Sequence, residues 1–160
     1  MKSYRVSGDA PLRIVRLRPR ATGDRAQPSP RAGPGEWVSV ENASSTPIDL
    51  AGIYLCRLLG DSPEQWEVIA ELGGEIPPGE AVAVHTGWGF DERHTRVADV
   101  LAAEHHLFAK REAYVWETKG GEVVALWKES DCLDYAVTEP SPVSAVLERS
   151  ADRLVAPSRR

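Results

Sequence analysis

Long apolar runs are missing from this chain. No window approaches the ~18 consecutive apolar residues that a membrane-spanning helix needs, so no spanning segment is expected. The opening stretch, Met1 to Asp9, also lacks the apolar centre of a secretory signal. A cytoplasmic location is therefore expected, with export by a route lacking such a signal left open. Cysteine is scarce: Cys56 and Cys132 stand alone, without C-x-x-C spacing, and read as two reduced thiols. A disulfide would need their Cα atoms within ~7 Å.

Catalytic signatures are missing too. There is no G-x-S-x-G and no H-E-x-x-H, and neither Gly33-Pro34-Gly35 nor Thr118-Lys119-Gly120-Gly121 has phosphate-loop spacing. His85, Asp91, His94, His105 and His106 are the one grouping that could hold zinc and a water. Their spacing matches no ligand pattern, and the neighbours His105 and His106 would point apart on a strand or a helix. The acids Glu41 and Asp49, or Asp131 and Asp134, read as surface groups beside turns. No catalysis, metal, cofactor or small-molecule substrate is expected. A metal-binding hydrolase accessory domain is the enzymatic alternative.

Acidic residues are rare in the first 35 positions, where eight Lys/Arg face only Asp9 and Asp24, a net of +6. The remainder carries eleven basic against twenty-two acidic residues, a net of −11. Arg13, Arg16, Arg18, Arg20, Arg25 and Arg31 thus form a basic arm on an acidic body. The arm is a candidate contact for an acidic protein surface, on its own body, a neighbouring subunit or a partner. Nucleic acid is the alternative, opposed by the charge of the body.

What the chain does have is short β-type runs. With 42% hydrophobic and 27% charged residues it can build an ordinary core. Leu12–Arg18, Trp37–Glu41, Ile48–Leu50, Ile53–Leu58, Trp66–Ile69, Ala81–His85, Glu122–Trp127 and Cys132–Val137 read as strands divided by Pro, Gly and Asn turns. Asn42 and Asp49 suit turns, because short polar side chains bond nearby backbone. The spacing predicts an all-β sandwich or barrel. Trp37, Trp66, Trp116 and Trp127 are expected in its core, and Trp88 on the surface as a partner contact.

Two helices are also predicted. One covers Arg96–Glu104, from apolar residues at 97, 100 and 101. The other covers Ser141–Val155, with Ser141 as N-cap and Pro142 in the first turn. On that tail helix Val143, Val146, Leu147 and Leu154 fall on one stripe, a candidate contact for a groove on another subunit or partner, or for the chain's own core. The expected division is a tail over 1–11, a domain over 12–137 and a C-terminal tail over 138–160.

The order of several short marks resembles a lamin-tail domain in its bacterial form. They are Glu36-Trp37-Val38 with Glu41-Asn42, Asp49-Leu50-Ala51-Gly52, Ile76-Pro77-Pro78-Gly79, and His85-Thr86-Gly87 with Gly89. Val115-Trp116 ahead of Gly120-Gly121-Glu122 and Val124-Ala125-Leu126 complete the set. The chain departs from the family pattern at Glu117-Thr118-Lys119, where Asn and Asp are usual, and in the long stretch from Phe90 to Tyr114. The resemblance implies an immunoglobulin-like β-sandwich that serves as a non-catalytic interaction or assembly scaffold, through a protein partner or self-association.

Overall fold

The computed structural model describes residues 11–19, 36–58, 65–87, 90–91, 103–111, 115–142 and 145–157. Twelve strands are described: β1 (Leu12–Arg18), β2 (Trp37–Asn42), β3 (Ile48–Asp49), β4 (Ile53–Leu58), β5 (Trp66–Glu71), β6 (Glu75–Ile76), β7 (Ala81–His85), β8 (His105–Phe108), β9 (Val123–Lys128), β10 (Asp131–Thr138), β11 (Leu147–Ser150) and β12 (Arg153–Val155). Among the described residues there is no helix. Ten strands form one sheet in the order β5-β4-β9-β10-β12-β11-β1-β2-β7-β8, nearly closed into a barrel, while β3 and β6 pair separately. The all-β expectation holds.

Alternation along the strands explains the core. Val38 and Val40 on β2, Val82 and Val84 on β7, Leu55 on β4 and Leu126 on β9 point into one cluster that includes Trp116. Strand β2 is buried on its second face as well, where Trp37 and Ser39 lie. Trp37 and Trp116 are both almost fully buried, as the sequence led us to expect.

The turns follow local chemistry. The Asn42 amide donates to Thr46 O and Ile76 O, each at 2.9 Å, and its Oδ1 accepts from the Ser44 N–H. Asp49 Oδ1 accepts the Ala51 N–H at 2.9 Å, just ahead of Gly52, which has φ 76°. Gly79 also needs the left-handed region, with φ 76°, and donates to Asn42 O. Asn42 therefore ties the β2 end to two separate turns.

Among the described residues, charged side chains rather than a ladder meet at the seam of the sheet. Its end strands are β5 and β8. Arg111, just past β8, reaches Glu67 on β5 at 3.0 Å, and Arg57 Nε on β4 lies 3.1 Å from the same Oε1. An inward-facing carboxylate thus collects cations from both sides of the opening.

The predicted C-terminal helix is wrong: its residues form the hairpin β11–β12, turning at Ala151 with φ 54°. Strand β11 pairs with β1 and strand β12 runs parallel to β10, so the hairpin fills the gap between them. An isolated helix of this length is marginal in water, whereas two open strand edges offer ladder partners. Leu147 and Leu154, two residues of the expected partner-contact stripe, are buried in the chain's own core. The sheet therefore continues past position 137 to Val155. The other predicted helix, over 96–104, falls mostly outside the described residues. Of its end, Ala103 is buried and non-helical, and Glu104 Oε2 accepts the Ala81 N–H at 2.8 Å.

Gly120 sits in a close backbone approach. It has φ 79°, and a Cβ there would stand 2.5 Å from Pro140 N and 2.7 Å from the Glu139 carbonyl carbon. Strain and overpacking each cost ~1–3 kcal/mol. Gly120→Ala should therefore lower stability by about 2–6 kcal/mol, read as a drop in urea midpoint without a change in slope.

Candidate functional site

The outer face of β5-β4-β9 carries a groove of about 330 Å³, lined by Tyr54, Cys56, Trp66, Val68, Trp127 and Glu129. Strand register builds it. Tyr54 pairs with Trp127 across β4 and β9, and Cys56 pairs with Val68 across β4 and β5. Inward neighbours such as Leu55 and Leu126 hold the core, so alternation turns this set outward. Trp66 and Trp127 reach toward each other over β4 and meet edge to face, with centroids 5.5 Å apart at 60°. Their indole nitrogens are shielded from water, so the rings offer mainly carbon surface. Val68 is 50% exposed, which on a solvent-facing strand makes it the apolar lip of the groove.

Trp66 and Trp127 are thus half-buried on the outer face, not in the core as expected. Glu129 sits at the rim, at the first position of the two-residue turn between β9 and β10. Its φ is 53°, in the left-handed region that glycine or asparagine occupies more cheaply.

Both thiols sit on this side of the sheet. Burial pushes Cys56 up to about 11 and Cys132 up to about 12, so neither is a nucleophile at neutral pH. Cys56 faces Ala125 and Cys132 faces Trp127, with strand β9 between them. Two strand spacings put their Cα atoms roughly 9.5 Å or more apart, beyond disulfide reach. Both are free.

The histidines form a second, buried cluster on β7 and β8. His85 Nε2 and His106 Nδ1 are 2.8 Å apart, and Phe108 stacks on His85 with centroids 4.7 Å apart. Burial, with His106 as a lesser cause, pushes His85 down to about 3, so it is neutral. His105 takes the opposite face and meets Glu80 Oε1 at 2.7 Å. Asp91 Oδ1 accepts the Phe108 N–H at 3.1 Å, and His94 lies outside the described residues. Two imidazole nitrogens facing each other at hydrogen-bond distance bind one shared proton. Among the described residues no three His, Cys, Asp or Glu side chains gather around a metal position.

Glu36 is a third buried group. Its Oε1 accepts the Val115 N–H at 2.8 Å and its Oε2 the Trp116 N–H at 2.7 Å, pinning the strandless segment that precedes β9. Burial outweighs these bonds and raises its carboxyl to about 7.

The other expected contacts are scattered. Arg13 is exposed on β1, Arg16 lies 3.7 Å from Glu148, and Arg18 is buried. Arg20, Arg25, Arg31, Trp88 and Val143 lie outside the described residues, and Val146 is half-buried. Asp134, expected at the surface, is buried and bound by Arg149. The groove is what sequence reasoning missed, and its only signal was alternation in Tyr54-x-Cys56, Trp66-x-Val68 and Trp127-x-Glu129. No helix among the described residues is long and apolar enough to cross a membrane. No family model matches the chain, and no curated protein matches it.

Proposed function

We propose that the chain is a non-catalytic interaction module, a lamin-tail-like scaffold whose outer groove takes a segment of a protein partner. The groove carries this reading: it gathers three aromatic rings and a half-exposed valine on a face otherwise free to be polar. Small-molecule and side-chain sites are typically concave and lined by apolar and aromatic side chains with a few polar groups, as this groove is. Aromatic anchors in a concave patch are also the residues that dominate interface energies.

The lamin-tail resemblance is supported by the turn roles of Asn42, Asp49, Gly52 and Gly79, which fall where its marks lie. Its immunoglobulin-like sandwich is supported by the single core that strands from both halves of the sheet share. The runs β5-β4-β9-β10 and β1-β2-β7-β8 of the one sheet contribute to one core and are joined through the hairpin β11–β12.

Photo-cross-linking tests the assignment. A benzophenone amino acid placed at Val68 should give adducts in native extract that vanish on Trp127→Ala. The same group at Asp152, exposed on the far hairpin turn, should give none of them. Equal adducts from both positions would overturn the groove as the docking face.

A further inference from the structure

We infer that the groove is an aromatic cage for an alkylated ammonium group, carried as a methylated lysine on the partner segment. The inference rests on the interaction reading above and adds the chemistry of the occupant. Tyr54, Trp66 and Trp127 come from three adjacent strands and surround one concavity. The 60° angle between the two indoles gives the groove two walls facing different directions, rather than the flat platform that stacked rings offer a base. A cation over such ring faces is attracted by their negative quadrupole.

The charge of the site has the matching sign. Glu129 is the one ionisable carboxylate in the lining, and it stands at the rim rather than in the floor. A rim carboxylate meets a cation whose methyl groups lie against the rings below. Its turn position adds weight, since a non-glycine residue at φ 53° is strained and here places a carboxylate beside Trp127. Lys128, the nearest basic residue along the strand, alternates to the opposite face from Trp127.

The lining also selects among cations. An unmodified lysine ammonium is strongly hydrated, and one carboxylate replaces little of that water. Methylation spreads the charge over carbon surface that packs on rings, which this mostly apolar lining accommodates. Anionic ligands find no Lys, Arg or His in the lining, and a neutral polar ligand finds few polar groups beyond the Tyr54 hydroxyl and the Glu129 carboxylate. A bare apolar segment would fit the walls but would gain nothing from Glu129.

Titration of the full chain with an acetylated, amidated trimethyllysine, followed by tryptophan fluorescence, tests the assignment. The neutral control replaces the quaternary nitrogen by carbon, keeping size and shape. Trimethyllysine should bind saturably and about tenfold more tightly than its neutral twin, the scale of a desolvated cation–π contact. Unmodified lysine should bind more weakly than the trimethylated form. Trp127→Ala should abolish binding, and Glu129→Gln, a change at an exposed turn, should weaken the cation while leaving the neutral twin unaffected. Equal binding of the two twins, or no saturable binding at millimolar concentration, would overturn the cage. If that result came with Val68 cross-links intact, the docking face would stand and only its cation chemistry would fall.

Discussion

Arg149→Leu should destabilise the protein by about 3–5 kcal/mol, the cost of leaving a buried carboxylate without its partner. Arg149 Nη1 lies 2.9 Å from Asp134 Oδ2 and Nη2 lies 3.1 Å from Oδ1, a two-point grip. The same guanidinium donates to Ile14 O at 2.8 Å and Tyr135 O at 3.0 Å. Asp134 Oδ2 in turn accepts the Ile14 N–H at 2.7 Å. One ion pair therefore joins β1, β10 and β11 where the hairpin closes the sheet. Side-chain exposures of 11% for Arg149 and 4% for Asp134 place the pair beyond solvent screening. Arg149→Lys should fail almost as badly, since a single ammonium cannot serve acceptors arranged around a planar fork. The double variant Arg149→Leu with Asp134→Leu should recover part of the loss, because it removes the orphaned charge but leaves the backbone groups of Ile14 and Tyr135 short of partners. Urea midpoints measure all three. A single variant within ~0.5 kcal/mol of wild type would show the pair to be inert.

This junction marks the limit of what the sequence made legible. The strand runs and turns were readable because their causes are local: β-branched alternation, a proline or glycine stop, and an Asx side chain bonding backbone two residues on. The tail was not. Leu147 and Leu154 are spaced so that either a helix or a hairpin buries both, and only the open edges of β1 and β10 decide between them. Asp134 looked like a surface acid because its partner lies in that misread tail.

The groove was hidden for a related reason. Alternation assigns Trp66 and Val68 to one face of β5, but which face meets water depends on where the core lies. The register shift between Leu55 and Cys56 complicates that further. Tryptophan's bulk favours the core as a default, and two of the four indoles among the described residues, Trp66 and Trp127, depart from it. The His85–His106 contact arises from parallel pairing of β7 with β8, which no local pattern announces.

Glu36 and His85 should contribute opposite slopes to stability between pH 4.5 and 6.5, and substituting one of them should uncover the slope of the other. The folded state holds His85 at about 3 against 6.5 in the open chain, so below 6.5 the unfolded state binds a proton that the fold excludes. Its contribution is complete above pH 6.5 and is lost as pH falls toward 3, a span worth roughly 5 kcal/mol at ~1.4 kcal/mol per pH unit. Glu36 has the opposite sign. The fold raises its carboxyl from 4.5 to about 7, so its contribution is complete below 4.5 and is lost as pH rises to 7, a span of roughly 3 kcal/mol. The windows overlap from 4.5 to 6.5, where one proton's worth of slope in each direction cancels. Glu36→Gln removes one side of the balance. Its amide must turn an N–H toward either Val115 N or Trp116 N, a pH-independent loss of about 1–3 kcal/mol. Against that constant offset, the stability of the variant relative to wild type should climb steadily from pH 4.5 to 7. Titrations of groups that do not feel the Glu36 charge are shared by the two proteins and drop out of the difference, which leaves Glu36 and its electrostatic neighbour Glu122. Thermal or urea midpoints of both proteins across pH 4–8 decide the matter, and a difference that stays constant over the range would show that Glu36 does not titrate within it.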